Sequence, residues 1–191
     1  MVSIIISFYE RLGHLKRCLD ALSLFADAFD EVVVADDGSS PETLEAFREH
    51  IKRYEFPITH AWQPNEGFRV AASRNNGVRH ARGDYLIFLD CDFMVLPNTI
   101  AEHLRAAKPG KAVAAGFKYL NEPVTRELLN ATITPDLLEK LDRQLPNQEI
   151  LKRHRRTIKR TILMQLRLKS PKKQSLGGHF SIHKKDLARV N

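Results

Sequence analysis

Two carboxylates, Asp90 and Asp92, stand one residue apart where the run YLIFLDCDF leaves its apolar stretch. Residues i and i+2 of an extended chain point to the same side, so both can face one crevice while Cys91 turns away. Held that close, two ionised carboxylates repel, and unless one takes a proton they call for a compensating cation. A hard divalent ion such as Mg²⁺ or Mn²⁺, bound by one or two carboxylates and completed by water and phosphate oxygens, suits this count. A calcium cage would need more oxygens. The plainer alternative is that one aspartate caps a turn before LPNTIAEHL; the apolar run ahead of the pair and the second acidic pair, Asp36 and Asp37 in VVVADDGSS, favour the metal. Neither G-x-G-x-x-G nor G-x-x-x-x-G-K-[ST] occurs, so a phosphate would be held through a metal bridge rather than a glycine loop. Arg69 and Arg74, just after NEGF, are placed to contact a base or phosphate.

These residues need a scaffold, and the hydrophobic pattern supplies one. VSIIIS, EVVVAD, FPITHAW, DYLIFLD and KAVAAGF read as strands, apolar throughout and rich in β-branched residues. Between them lie helical patterns: HLKRCLDALSLFA with Leu15, Cys18, Leu19, Leu22 and Phe25 on one face, SPETLEAFREHI entered through Ser40 and Pro41, VAASRNNGVRHA, and PNTIAEHLRAA. Strands and helices alternating at this pace predict an α/β fold with a mostly parallel sheet covered on both faces. In such sheets ligands bind beyond the carboxyl ends of the strands. Three strand ends, SFYER, DDGSS and DCDF, therefore converge on one crevice.

At 191 residues with 43% apolar content the chain can bury one sizeable core, so a single domain is expected. No apolar run is long enough to span a membrane, and MVSIIISFYERL reads as a strand rather than a secretory leader. Cys18 and Cys91 are too few for a zinc site or disulfide framework, which suggests a reducing cytoplasm. The net charge of +7 is local: residues 152–173 hold ten of the thirty basic residues and no acidic one. Such a block marks a solvated face or a contact with something anionic.

The segments VSIIISFYER, VVVADDGSSPET, NEGFRVAASRNNGVRHARGDYLIFLDCDFMVLPNTI and LGGHFSIHKKDLARVN, in that order, resemble the inverting family 2 glycosyltransferases of GT-A fold. The resemblance is close over residues 1–117 and looser over 176–191. It implies a nucleotide-sugar donor, most simply a UDP-sugar, with Ser7, Phe8 and Tyr9 at the nucleobase and Asp36 and Asp37 at uracil or ribose. It further implies Arg69 at the base, Arg74 with Asn75 at the helix entry, Asp90 near the ribose, Cys91 within the donor site, and Asp92, with Asp90, on an Mn²⁺ or Mg²⁺ that bridges the diphosphate. Ser7 stands where many relatives have proline, and a backbone contact would survive that change. Gly177, Gly178 and His179 fall on the acceptor side; the glycines permit close backbone approach, and a histidine packed beneath the turn is favoured over an acceptor contact. The general base of such enzymes is expected beyond Asn191, because Asp186 in KKDLARV reads as a surface helix start. These 191 residues would then bind donor but transfer sugar poorly.

On this reading residues 1–117 form the donor half, 118–175 a variable insert that shapes acceptor choice, and 176–191 the start of the acceptor side. Within the insert, Ile150, His154, Ile158, Ile162 and Leu166 recur every fourth residue beside arginines and lysines, giving a basic amphipathic helix. Its stripe is expected to pack on the domain. The competing reading is peripheral contact of residues 150–173 with an anionic inner membrane face, which would suit a lipid-linked or other glycan acceptor. A nucleotidyltransferase is the rival enzyme class, but SFYERLGHL lacks its glycine-rich basic loop. A nucleic-acid module is the non-catalytic rival, and the basic helix lacks the aromatic platform that would serve it.

Overall fold

The computed structural model describes residues 1–144, 148–168 and 177–190. Strand β1 (Val2–Phe8) is followed by α1 (Leu12–Ser23), β2 (Glu31–Asp36), α2 (Pro41–Ile51), β3 (Ile58–Trp62), α3 (Val70–His80), β4 (Tyr85–Asp90) and α4 (Thr99–Ala106). Then come β5 (Val113–Ala114), α5 (Glu122–Asn130), α6 (Pro135–Gln144), α7 (Gln148–Gln165), β6 (Phe180–His183) and α8 (Lys184–Leu187). The sheet order is β3-β2-β1-β4-β6-β5. The first four strands run parallel, with Ser7 beside both Ala35 and Asp90, so the carboxyl ends of β1, β2 and β4 lie level.

The β-branched runs alternate between two buried layers, as a period of two demands. Ile4, Ile6, Val32, Val34, Ile87 and Leu89 share one cluster with Leu15, Leu19, Leu22 and Phe47. Ile5, Val33, Ala35, Leu86 and Phe88 face the other side. Each helical leucine here has no exposed surface, and truncating one to alanine would cost about 2–5 kcal/mol. Helix α2 begins as its sequence dictates: the Ser40 hydroxyl accepts from the Thr43 amide at 3.3 Å, with Pro41 in the first turn.

The sheet departs from expectation at its far edge. KAVAAGF contributes only Val113–Ala114, and the segment FSIH, within the motif GGHFSIH, forms β6, inserted antiparallel between β4 and β5. Phe180 stacks on Phe88 with centroids 4.4 Å apart, which supplies the burial that the edge needs. Asp186 is also reassigned: it is buried, and its carboxylate accepts from the Gly110 amide at 2.6 Å.

Helix α7 forms as its periodicity predicts, but its stripe does not pack as expected. Ile158, Ile162 and Leu166 are all exposed, and so is Leu151. The side chains of Ile150 and His154, and residues 169–173, lie outside the described residues, as does Asn191.

Candidate functional site

Arg74, in the second turn of α3, draws three parts of the chain together. Its Nε donates to Ser7 Oγ at 3.0 Å, Nη2 to Asp90 Oδ1 at 2.7 Å and Nη1 to the Gly177 carbonyl at 3.2 Å. The ends of β1 and β4 and the turn before β6 thus meet on one guanidinium, which is only 19% exposed. Gly178 lies so close to Asp90 that a Cβ there would fall 1.8 Å from Oδ2, so no other residue fits without moving the carboxylate. Ser7 participates through its hydroxyl, a role that the sequence reading gave to the backbone alone.

Asp92 is met from the opposite side. Arg11 Nη1 donates to its Oδ2 at 2.8 Å, and both side chains are about half exposed, at 56% and 43%. Both carboxylates therefore carry a counter-charge supplied by the protein, which repulsion demanded but which the sequence reading assigned to a metal. Asp90 and Asp92 border one cleft of about 570 Å³ together with Arg11, Phe93, Gly178 and His179. Among the described residues no group of three or more His, Cys, Asp or Glu side chains could hold a metal ion. Mg²⁺ or Mn²⁺ needs only one or two carboxylates, and this donor set of two, opening on a shared cleft, fits that requirement.

The other acidic pair is spent internally. Asp36 has no exposed surface; its Oδ1 accepts from the Ser39 amide and hydroxyl at 2.9 and 2.7 Å, and His60 Nε2 lies 2.9 Å from Oδ2. Asp37, also buried, accepts from Gln63 Nε2 at 2.7 Å and from the Arg69 amide at 2.8 Å. The Asp36 carboxylate thus builds the turn after β2. The Phe8 ring packs toward Phe47 in the core. Cys91 is buried, turned away as strand alternation requires; burial first and the neighbouring Asp92 second push its thiol up to about 12. Tyr9 remains half-exposed at the crevice rim, and the Arg69 side chain pairs with Glu66.

His179 is buried, as a packed histidine should be. Its Nε2 lies 2.9 Å from His103 Nε2, His103 Nδ1 lies 2.6 Å from Ser181 Oγ, and Ser181 Oγ lies 2.6 Å from the Tyr85 hydroxyl. With His179 bonded to the Gly116 carbonyl through its other nitrogen, the partners fix the tautomers: His103 donates from Nε2, His179 accepts, and the Ser181 hydroxyl donates to His103. Burial, and secondarily His103, lower His179 to about 4.

The strand end SFYER includes Glu10 and Arg11, but nothing in the sequence names Ser40, Thr43 and Asp92 as their partners. Phe68, the last residue of NEGF, is 93% exposed, an unusual placement for a large apolar side chain.

A mostly parallel sheet whose carboxyl ends gather arginines and aspartates beside an open cleft defines an α/β protein with a ligand site at its strand ends. The sequence profile of glycosyl transferase family 2 matches residues 3–182, and the chain belongs to that family. It is 36% identical over 127 residues to the validoxylamine A glucosyltransferase of Streptomyces hygroscopicus subsp. jinggangensis, covering 64% of this chain and 30% of that protein. It is 32% identical over 123 residues to the chondroitin synthase of Escherichia coli, covering 63% of this chain and 18% of that protein. The chain thus spans less than a third of the length of these two relatives. The glucosyl-3-phosphoglycerate synthase of Mycobacterium tuberculosis, solved with UDP, superposes with a TM-score of 0.53 at 15% identity, over 97% of this chain and 57% of that one. That likeness is one of GT-A fold. Family membership sets aside the nucleotidyltransferase and nucleic-acid readings.

Proposed function

We propose that the chain is the donor-binding domain of a glycosyltransferase that takes sugar from a nucleoside diphosphate sugar, of the UDP class, to a glycan or lipid-linked acceptor. The observation that carries this reading is the placement of Asp90 and Asp92 together on the cleft, with Arg74 tying Asp90 to the ends of β1 and the Gly177 turn. Asp92, with Asp90, would hold Mn²⁺ or Mg²⁺, which supplies charge neutralisation to the departing diphosphate. Tyr9 and Arg69 border the base, Asp37 holds the Arg69 amide and so sets the NEGF turn, and Arg74 fixes Asp90 toward the ribose. Gly177 and Gly178 keep the acceptor side free of side chains, and His179 anchors their turn from below. The test is thermal stability with UDP and Mn²⁺. A rise that needs both and disappears in Asp92→Ala supports the reading; an equal rise in that variant would reassign the metal.

A second surface supports peripheral membrane contact. Helix α7 exposes Ile158, Ile162 and Leu166 beside Arg155 and Lys159, and the charge complements an anionic lipid surface. No helix among the described residues is long and apolar enough to cross a membrane, so contact would be at the interface. Vesicle flotation with and without anionic lipid checks this, and equal partitioning would refute it.

A further inference from the structure

We propose that Arg11 is the resident counter-ion of Asp92, and that it exchanges this carboxylate for the donor's diphosphate when a divalent cation takes its place. The inference rests on the donor-site reading above, and it begins with the residue before Arg11. Glu10 has φ of 55°, a left-handed conformation that costs a non-glycine residue about 1 kcal/mol or more. Four contacts hold it there. Its amide donates to Ser39 Oγ at 3.0 Å, and its carboxylate accepts from the Ser40 amide at 2.5 Å and the Thr43 hydroxyl at 2.6 Å, with Ser40 Oγ at 3.4 Å. These hydrogen bonds, from Thr43 first and Ser40 second, hold the carboxyl below the usual range, and the charge sits at the amino end of α2, where the helix favours it.

The β1–α1 turn is thereby bolted to α2, and the bolt decides where Arg11 goes. Helix α1 has no side-chain cap of its own; Arg11 occupies that position and sends its guanidinium across the crevice to a carboxylate 81 residues away. Arg11 and Arg74 differ in a way that fits different tasks. Arg74 is largely buried and has three acceptors, so it is fixed, whereas Arg11 and Asp92 form a half-exposed pair, and such pairs are weak. A weak pair can be opened by a doubly charged ion at modest cost. The released guanidinium would stay tethered at the start of α1 on the same cleft, and its planar fork matches phosphate oxygens. His14, one turn further along α1, lines the same cleft.

Two titrations on the full chain test this: Mn²⁺ alone, followed by the paramagnetic signal of the free ion, and UDP at saturating Mn²⁺, followed by calorimetry. Arg11→Ala should bind Mn²⁺ alone about two- to fivefold tighter, because the competing charge is gone. It should bind UDP about tenfold more weakly, because a charged hydrogen bond to phosphate is lost. Arg11→Lys should keep Mn²⁺ binding near the wild-type value and still weaken UDP, because it retains the charge without the fork. A merely structural arginine would not tighten metal binding when removed. Unchanged or weaker Mn²⁺ binding in Arg11→Ala, or unchanged UDP binding, would overturn the proposal. Asp92→Ala separates the two ideas: if it binds Mn²⁺ as the wild type does, the donor-site reading itself fails, whatever Arg11 does.

Discussion

The two acidic pairs of the crevice hold equivalent posts, at the carboxyl ends of β2 and β4, and are put to opposite uses. Asp36 and Asp37 are buried, and their oxygens are taken up by two backbone amides, a hydroxyl, an imidazole and an amide side chain of the same neighbourhood. Asp90 and Asp92 face a cleft and are paired with guanidinium groups brought from α3 and from the turn before α1. Donors fixed in a turn cannot be exchanged without unfolding it, whereas a side-chain cation can swing aside. Of the four carboxylates, Asp92 has the half-exposed, displaceable partner, since Arg74 on Asp90 is held by three acceptors.

The sharpest break of this comparison is a pair of alanine variants. Asp36→Ala strands the Ser39 amide and hydroxyl and leaves His60 without its partner, so unfolding in urea should show a loss of about 3 kcal/mol. Asp92→Ala removes one half-exposed ion pair and should change stability by less than about 1 kcal/mol, while abolishing the Mn²⁺-dependent effect of UDP. Equal destabilisation by both would erase the distinction.

Nearly as large is the response to acid behind the second pair. Burial and His103 hold His179 near 4, below the ordinary histidine value of about 6.5. The unfolded chain therefore binds the proton first as pH falls, and stability present above about 6.5 is lost between 6.5 and 4, by up to about 3 kcal/mol. Below that window the folded state binds the proton too and the loss stops. His103, lowered by burial as well, adds in the same direction. Urea midpoints across pH 4–7.5 should fall less steeply in His179→Asn than in the wild type, and parallel slopes would show that the imidazole chain does not carry the effect.

The scaffold was legible for a physical reason. Fully apolar β-branched runs such as Val32 to Ala35 admit few alternatives to a buried strand, and the Ser40–Pro41 start of α2 is fixed by local chemistry. Strand β6 was not legible, because four residues after two glycines carry too little pattern; its place depends on Phe180 meeting Phe88, a contact made 92 positions apart in sequence. The site divides in the same way. Spacing singled out Asp90, Asp92 and Arg74 at strand and helix ends, and the fold puts both aspartates on one cleft with Arg74 bonded to Asp90. The fates of Asp36 and Arg11 were not legible, because which partner reaches a carboxylate is settled by tertiary approach: His60 comes from β3, and Arg11 is turned by a left-handed Glu10.

A glycine presses on each pair, and exchanging each for alanine sharpens the contrast at smaller cost. Gly38, at φ of 90°, would bring a Cβ to 2.3 Å from the Asn65 amide nitrogen, so Gly38→Ala should lower stability by about 1–3 kcal/mol. Gly178→Ala meets the Asp90 carboxylate and the Phe93 ring instead. Side chains yield more readily than backbone, so its stability loss should be the smaller of the two and its loss of UDP affinity the larger, by about tenfold. Calorimetric titration beside urea unfolding distinguishes them.

The smallest effect is expected at Ser7, and it bears most directly on how the second pair is held. Arg74 has three acceptors, and Ser7→Ala removes only the one on β1. Asp90 and the Gly177 carbonyl still hold the guanidinium, so stability should fall by about 0.5–1 kcal/mol and UDP affinity by about two- to threefold. Arg74→Lys would lose the planar fork, and with it the simultaneous reach to three elements, and should cost several times more than Ser7→Ala in the same titration. If the serine variant proved as damaging as the lysine variant, the hub would reside in the β1 hydroxyl rather than in the guanidinium. The fixed partner of Asp90 would then be as dependent on a single bond as the displaceable partner of Asp92.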